Sequence, residues 1–251
     1  MSTQTRDGEY IDAGGLHTYY EVTGEGDPLV LLHGGMCTIE TFDGLTAQLA
    51  PNHQVFRPER RGHGRTPDVE GPITFGGMAD DTIAFMDAVG IGQADIVGWS
   101  DGAAVALRVA QRRPDLVRRL VLIGQPANSD GAQPQATAML TELGVDILPP
   151  FLRELYAAVS PDGPDHFDSV FERLSPQWIN DHEVDVDDLR TIEAPTLVVI
   201  GEQDIPTAEH AAAMSDALPN GRLEILPGKD HGFPMEDPAT TGRIVGDFVA
   251  G

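Results

Sequence analysis

The fold of this chain turns on Ala94-Asp95-Ile96-Val97-Gly98-Trp99-Ser100-Asp101-Gly102-Ala103-Ala104. The stretch reads as a short apolar strand, a serine with a glycine two residues to either side, and a helix of small residues. In this G-x-S-x-G spacing the serine sits on a sharp strand-to-helix turn that lifts its hydroxyl above the sheet edge. The spacing has a steric cause. A strained turn at the serine draws together the backbone two residues before it and two after, so Gly98 and Gly102 lack the side chains that would clash. The helix that follows, Asp101 to Arg112, offers Ala103, Ala104 and Ala106 for close approach to a sheet, and Pro114 follows its end.

Outward from the serine, apolar runs recur. Leu29-Val30-Leu31-Leu32, Leu120-Val121-Leu122-Ile123-Gly124 and Thr196-Leu197-Val198-Val199-Ile200-Gly201 have the continuous hydrophobicity of strands buried on both faces of a parallel sheet. Gln54-Val55-Phe56 and Arg222-Leu223-Glu224-Ile225-Leu226 add two more strands, and Glu9 to Thr23 reads as a hairpin turning at Gly14-Gly15. Helical patterns fall between them: one ending near Leu49, one from Met78 to Val89, and a last from about Pro238 to Val249. Strands alternating with helices predict an α/β doubly wound sheet with right-handed crossovers. Residues 125–195 break the rhythm. They hold amphipathic patterns at Leu148 to Val159 and His166 to Leu174 and no clear strand, so they read as a helical insertion over a core made of residues 1–124 and 196–251.

The totals bound the possibilities. A chain of 251 residues with 41% hydrophobic and 22% charged residues suits one globular unit. No run of about eighteen apolar residues exists to span a membrane. The polar stretch Met1 to Tyr10 has no apolar signal core, which points to the cytoplasm, and the single cysteine, Cys37, has no internal partner for a disulfide. Forty acidic residues against sixteen basic ones, Lys229 the single lysine among them, give a net charge of −24. Such a surface repels nucleic acid and anionic membranes.

A serine hydroxyl becomes a nucleophile when a base takes its proton, and the base needs an orienting acid. These groups are expected where strands end in a doubly wound sheet. Gly201-Glu202-Gln203-Asp204 follows one buried strand, and Lys229-Asp230-His231-Gly232 follows the last. His231 is the candidate base and Asp204 the candidate acid, with Glu202 and Asp230 as neighbours able to mimic it. The chain order Ser100, Asp204, His231 is that of the α/β-hydrolases.

Five motifs at these separations, His33-Gly34-Gly35, Arg61-Gly62-His63-Gly64, Gly98-Trp99-Ser100-Asp101-Gly102, Gly201-Glu202-Gln203-Asp204 and Asp230-His231-Gly232, make the chain resemble an α/β-hydrolase over almost its whole length. The Gly-Trp-Ser-Asp-Gly elbow with a short helical cap is similar to the valacyclovir-hydrolase-like esterases and their bacterial relatives. The resemblance implies an eight-stranded, mostly parallel sheet with helices on both faces and a small helical cap between strands six and seven. One departure is Glu59, where such proteins usually carry aspartate. An oxyanion needs two preorganised N–H donors. The backbone of Asp101, just after the nucleophile, supplies one, and the family pattern implies Gly35 for the second, with Met36 as the alternative. His33 and His63 read as hydrogen-bonding braces.

The sequence shows no pairing of His53, His166, His182 and His210 at metal-ligand spacing and no phosphate loop, so no metal and no cofactor are expected. Asp185, Asp187 and Asp188 read as a solvated face. Met36, Trp99, Phe151, Leu155, Tyr156 and Phe171 are the candidate pocket residues, within a wider aromatic set that includes Phe167 and Trp178. The expected activity is a serine esterase acting on a small-molecule ester with a neutral, apolar acyl group of small to medium size. Lactonase, carbon–carbon bond hydrolase, cofactor-free perhydrolase and a non-catalytic receptor of the same fold are the alternatives. The sequence carries no signal of oligomeric state.

Overall fold

A computed structural model describes residues 8–251, so residues 1–7 of the polar N-terminal stretch lie outside the described residues. Eight strands, β1 (Glu9–Ala13), β2 (Leu16–Thr23), β3 (Asp27–Leu32), β4 (His53–Pro58), β5 (Ala94–Trp99), β6 (Val117–Ile123), β7 (Thr196–Gln203) and β8 (Gly221–Asp230), form one sheet in the order β1-β2-β4-β3-β5-β6-β7-β8. The pairs β1/β2 and β2/β4 are antiparallel and the remainder parallel. This is the α/β-hydrolase sheet the sequence resembles. All six residues of β5 are buried, as are Leu29 to Leu32 of β3, because helices cover both faces.

The core helices are α1 (Asp43–Leu49), α2 (Phe75–Val89) and α3 (Asp101–Arg112). Helix α2 starts before Met78 because the Thr74 hydroxyl accepts from the Gly77 N–H and caps it; Gly90, in the left-handed region at φ 78°, ends it. Four helices, α4 (Pro134–Leu143), α5 (Pro150–Val159), α6 (Phe167–Leu174) and α7 (Pro176–Asn180), follow β6 and precede β7. The chain then adds α8 (Ala208–Ala217), a short α9 (Phe233–Glu236) and α10 (Pro238–Val249). Among the described residues no helix is long and apolar enough to cross a membrane.

Polar anchors tie the inserted helices to the core. Arg108, on α3, donates to both carboxylate oxygens of Asp181 at 2.7 Å and to Glu183 at 2.8 Å. Asp68 takes His166 and Arg173 from the other end of the insertion. Asp185 and Asp188 cap the turn Val186–Thr191 reciprocally, and Asp187 pairs with Arg190.

Candidate active site

Ser100 ends β5 and begins α3 with φ 55° and ψ −127°, a conformation that costs an L-residue on the order of 1–3 kcal/mol and is held by its surroundings. The Ser100 N–H donates to Ile123 O at 2.8 Å. A Cβ added at Gly98 would lie 2.2 Å from Gly102 O, and one at Gly102 would lie 2.1 Å from Leu32 O. Both glycines are therefore required by backbone contact, as the spacing implies.

His231, in the loop after β8, brings Nε2 to 3.0 Å from Ser100 Oγ and Nδ1 to 2.6 Å from Asp204 Oδ1. Asp204 also accepts from the N–H groups of Gly201 (3.1 Å) and Ile205 (2.7 Å). Burial pushes its carboxyl up, but the His231 charge and these donors outweigh burial and hold it below the ordinary value. With the carboxylate accepting at Nδ1–H, Nε2 is left to accept from the Ser100 hydroxyl. The competing acids turn elsewhere: Glu202 accepts from Gly228 N–H and Asp230 from Gly232 N–H. Gly124, at the end of β6, leaves room for the pair; a Cβ there would lie 3.1 Å from His231 Nδ1.

The loop after β3 faces Ser100. Met36, at φ 57°, donates its N–H to His63 Nε2 at 3.0 Å, so this amide is already committed. His63 Nδ1–H in turn donates to Arg61 O at 2.8 Å. Gly34 O accepts from His33 Nδ1–H and from Arg60 Nη2, each at 2.8 Å. Burial and the nearby Arg60 charge push His33 well below its ordinary range and His63 down to about 3, so both rings are neutral braces. Glu59 accepts from the Ile39 and Arg65 N–H groups and pairs with Arg65, anchoring the same loop; burial pushes its carboxyl up to about 7.

The candidate pocket residues divide. Trp99 is buried, its indole N–H donating to His231 O at 3.1 Å and its ring centroid 5.4 Å from the imidazole. Met36 is buried in the core. Phe171 stacks edge-on with Trp178, whose indole N–H reaches Asp101 Oδ1 at 2.9 Å. Phe151, on α5, is 41% exposed. Leu155 is half-buried, and Tyr156 packs inside the insertion on Phe167 at 5.4 Å. The contacts missed from the sequence are Trp178, which belonged to the aromatic set but not to the selected residues, and Arg60. Among the described residues no cluster of three or more histidine, cysteine or acidic side chains is arranged as metal ligands.

The sequence and the fold recur in known proteins. The model of the alpha/beta hydrolase family matches residues 29–243, and the chain belongs to that family. A 2-hydroxymuconate semialdehyde hydrolase of Pseudomonas sp. (strain CF600) is 27% identical over 97% of this chain and 94% of its own length. The serine hydrolase BPHL of Mus musculus is 28% identical over 95% of this chain and 85% of its own. Among solved structures, a meta-cleavage product hydrolase from Pseudomonas fluorescens IP01 superposes with a TM-score of 0.80 at 24% identity, covering 97% of both chains, and so shares the fold.

Proposed function

We propose that the protein is a serine hydrolase that cleaves carboxylic esters with neutral, apolar, small-to-medium acyl groups through an acyl-enzyme. The observation that carries the reading is the line Ser100 Oγ, His231 Nε2, His231 Nδ1, Asp204 Oδ1, with contacts of 3.0 and 2.6 Å. His231 takes the Ser100 proton as Oγ attacks the ester carbonyl, and the oxyanion rests on the Gly35 and Asp101 amides. Collapse expels the alcohol, which receives the proton from His231. Water, deprotonated by the same imidazole, then adds to the acyl carbon and releases the acid. Residues 125–195 act as a cap over the core of residues 1–124 and 196–251, with Trp178 above Gly35.

A carbon–carbon bond hydrolase is the second reading, favoured by the Pseudomonas relative, a hydrolase of 2-hydroxymuconate semialdehyde, which is an anion. Two observations support the neutral ester instead. Asp101, 1% exposed beside Gly35, has one carboxylate oxygen without a partner. Arg153, Arg173 and Arg190 of the cap are each already paired, with Asp168, Asp68 and Asp187. An anionic acyl group would then be buried against the Asp101 carboxylate while these three arginines are already engaged, which is heavily penalised. The test is kcat/KM for p-nitrophenyl esters of graded acyl length, for their ω-carboxylate analogues and for a dienoate carbon–carbon substrate, with Ser100→Ala as control. The expected result is preference for the neutral esters and a loss on the order of a million-fold in Ser100→Ala with folding intact. Higher kcat/KM for the dienoate or the ω-carboxylates would overturn the ester reading.

A further inference from the structure

Arg60 is 3% exposed, and its Nε and Nη1 have no hydrogen-bond partner. Among the described residues it makes no ion pair with a carboxylate; its Nη2 instead lies 2.8 Å from Gly34 O and 3.2 Å from His33 Nδ1. A buried guanidinium so poorly compensated is expensive, and a loop anchor alone would not demand it. Gly34 O already accepts from His33 Nδ1–H at 2.8 Å and from Cys37 N–H at 3.3 Å.

The position of that carbonyl matters chemically. Gly34 C=O and Gly35 N–H are the two ends of one conjugated peptide unit. Charge drawn onto the oxygen makes the N–H at the other end a stronger donor, and hydrogen bonds in such a chain reinforce one another. The Gly35 N–H is the donor assigned above to the oxyanion. Beside it stands the Asp101 carboxylate, so close that a Cβ on Gly35 would lie 2.4 Å from Oδ2. That carboxylate opposes negative charge on the oxyanion, and the Arg60 charge offsets it. The two charges feel each other: burial lowers Arg60 to about 10 and raises Asp101, and each opposes the other's shift.

We propose that Arg60 is a positioning residue of the reaction: its guanidinium polarises the Gly34–Gly35 peptide and counters the Asp101 charge, so that the Gly35 N–H meets the oxyanion already aimed and strengthened. The proposal rests on the serine hydrolase reading and adds to it a residue that never touches substrate. It differs from simple bracing because the charge, not the shape, carries the effect.

The test compares wild type, Arg60→Lys and Arg60→Met by three measurements: the rate of Ser100 labelling by a fluorophosphonate, kcat and KM on the best p-nitrophenyl ester, and affinity for a trifluoromethyl ketone against its methyl ketone analogue. Deleting a whole oxyanion donor costs about 100–1000-fold, so weakening one is expected to cost about 10–100-fold. Arg60→Met should lose that much in labelling rate and kcat, with KM nearly unchanged. Its trifluoromethyl ketone affinity should fall in step while the methyl ketone is unaffected, and Arg60→Lys should restore most of the loss. If Met prevents folding, Arg60→Gln against Arg60→Lys makes the same comparison. Equal labelling rates and kcat in wild type and the neutral variant would overturn the role of Arg60 while leaving Ser100 as nucleophile, as would a Lys variant no better than the neutral one. Failure of the wild type to label at all would refute the hydrolase reading and this proposal with it.

Discussion

Replacing His63 with glutamine should flatten the acid side of the stability profile. The ring is 1% exposed and works as a neutral bridge, Nε2 accepting from Met36 N–H at 3.0 Å and Nδ1–H donating to Arg61 O at 2.8 Å. A proton on Nε2 would face that N–H head-on. Burial, then the Arg60 charge, lower its pKa from 6.5 to about 3. Between these values the unfolded chain binds a proton that the folded chain refuses. The contribution of His63 is therefore fully present above pH 6.5 and is lost as pH falls toward 3. One proton corresponds to about 1.4 kcal/mol per pH unit, or roughly 5 kcal/mol over the window. The assay is urea unfolding at pH 7, 6, 5 and 4. Glutamine can accept from Met36 and donate to Arg61 but does not ionise. Its slope between pH 6 and 4 should be shallower by about 1.4 kcal/mol per unit, with a cost of about 1–2 kcal/mol at pH 7 for poorer geometry. Superimposable slopes for the two proteins would refute the neutral bridge.

Two further outcomes follow from contacts within the core. Arg108→Met removes the partner of the buried Asp181 carboxylate and should destabilise the protein by about 3–5 kcal/mol, read by urea unfolding; a loss under about 1 kcal/mol would mean that Asp181 finds another donor. Gly102→Ala puts a methyl 2.1 Å from Leu32 O and 2.6 Å from His33 O, so β3 and the start of α3 must part. Turnover should fall by at least about 100-fold, because small misplacements at the reacting atoms are costly, and activity near that of wild type would show that the elbow yields more readily than its contacts imply.

The core was legible where sterics leave one answer. Gly98 and Gly102 could be read as a strained elbow because the backbone contacts that exclude a Cβ follow from the turn itself. Leu29 to Leu32 and Ile96 to Val97 have no polar face, so burial on both sides was the sole reading. Residues 125–195 were legible as helix but not as orientation. Periodicity shows that α5 has an apolar face, yet the face with Tyr156 turns inward while Phe151 on the same helix meets solvent. Trp178 lies on the five-residue α7, too short for any period to register. Met36 takes a positive φ without being glycine, because its N–H is bound to His63 across 27 residues of sequence. Arg60 was hidden for a different reason: apolar patterning carries no sign of an arginine buried for its charge.

The chain has two tryptophans, and both hydrogen-bond to residues of the candidate site. Trp99 donates to His231 O, and Trp178, on α7, donates to Asp101. The tryptophan emission of the protein is therefore a signal from this site. On the proposed cap reading, a ligand that parts residues 125–195 from the core would disturb the Trp178–Asp101 contact, which makes that indole the reporter. Single replacement of each tryptophan by phenylalanine would separate the two signals in the unlabelled protein.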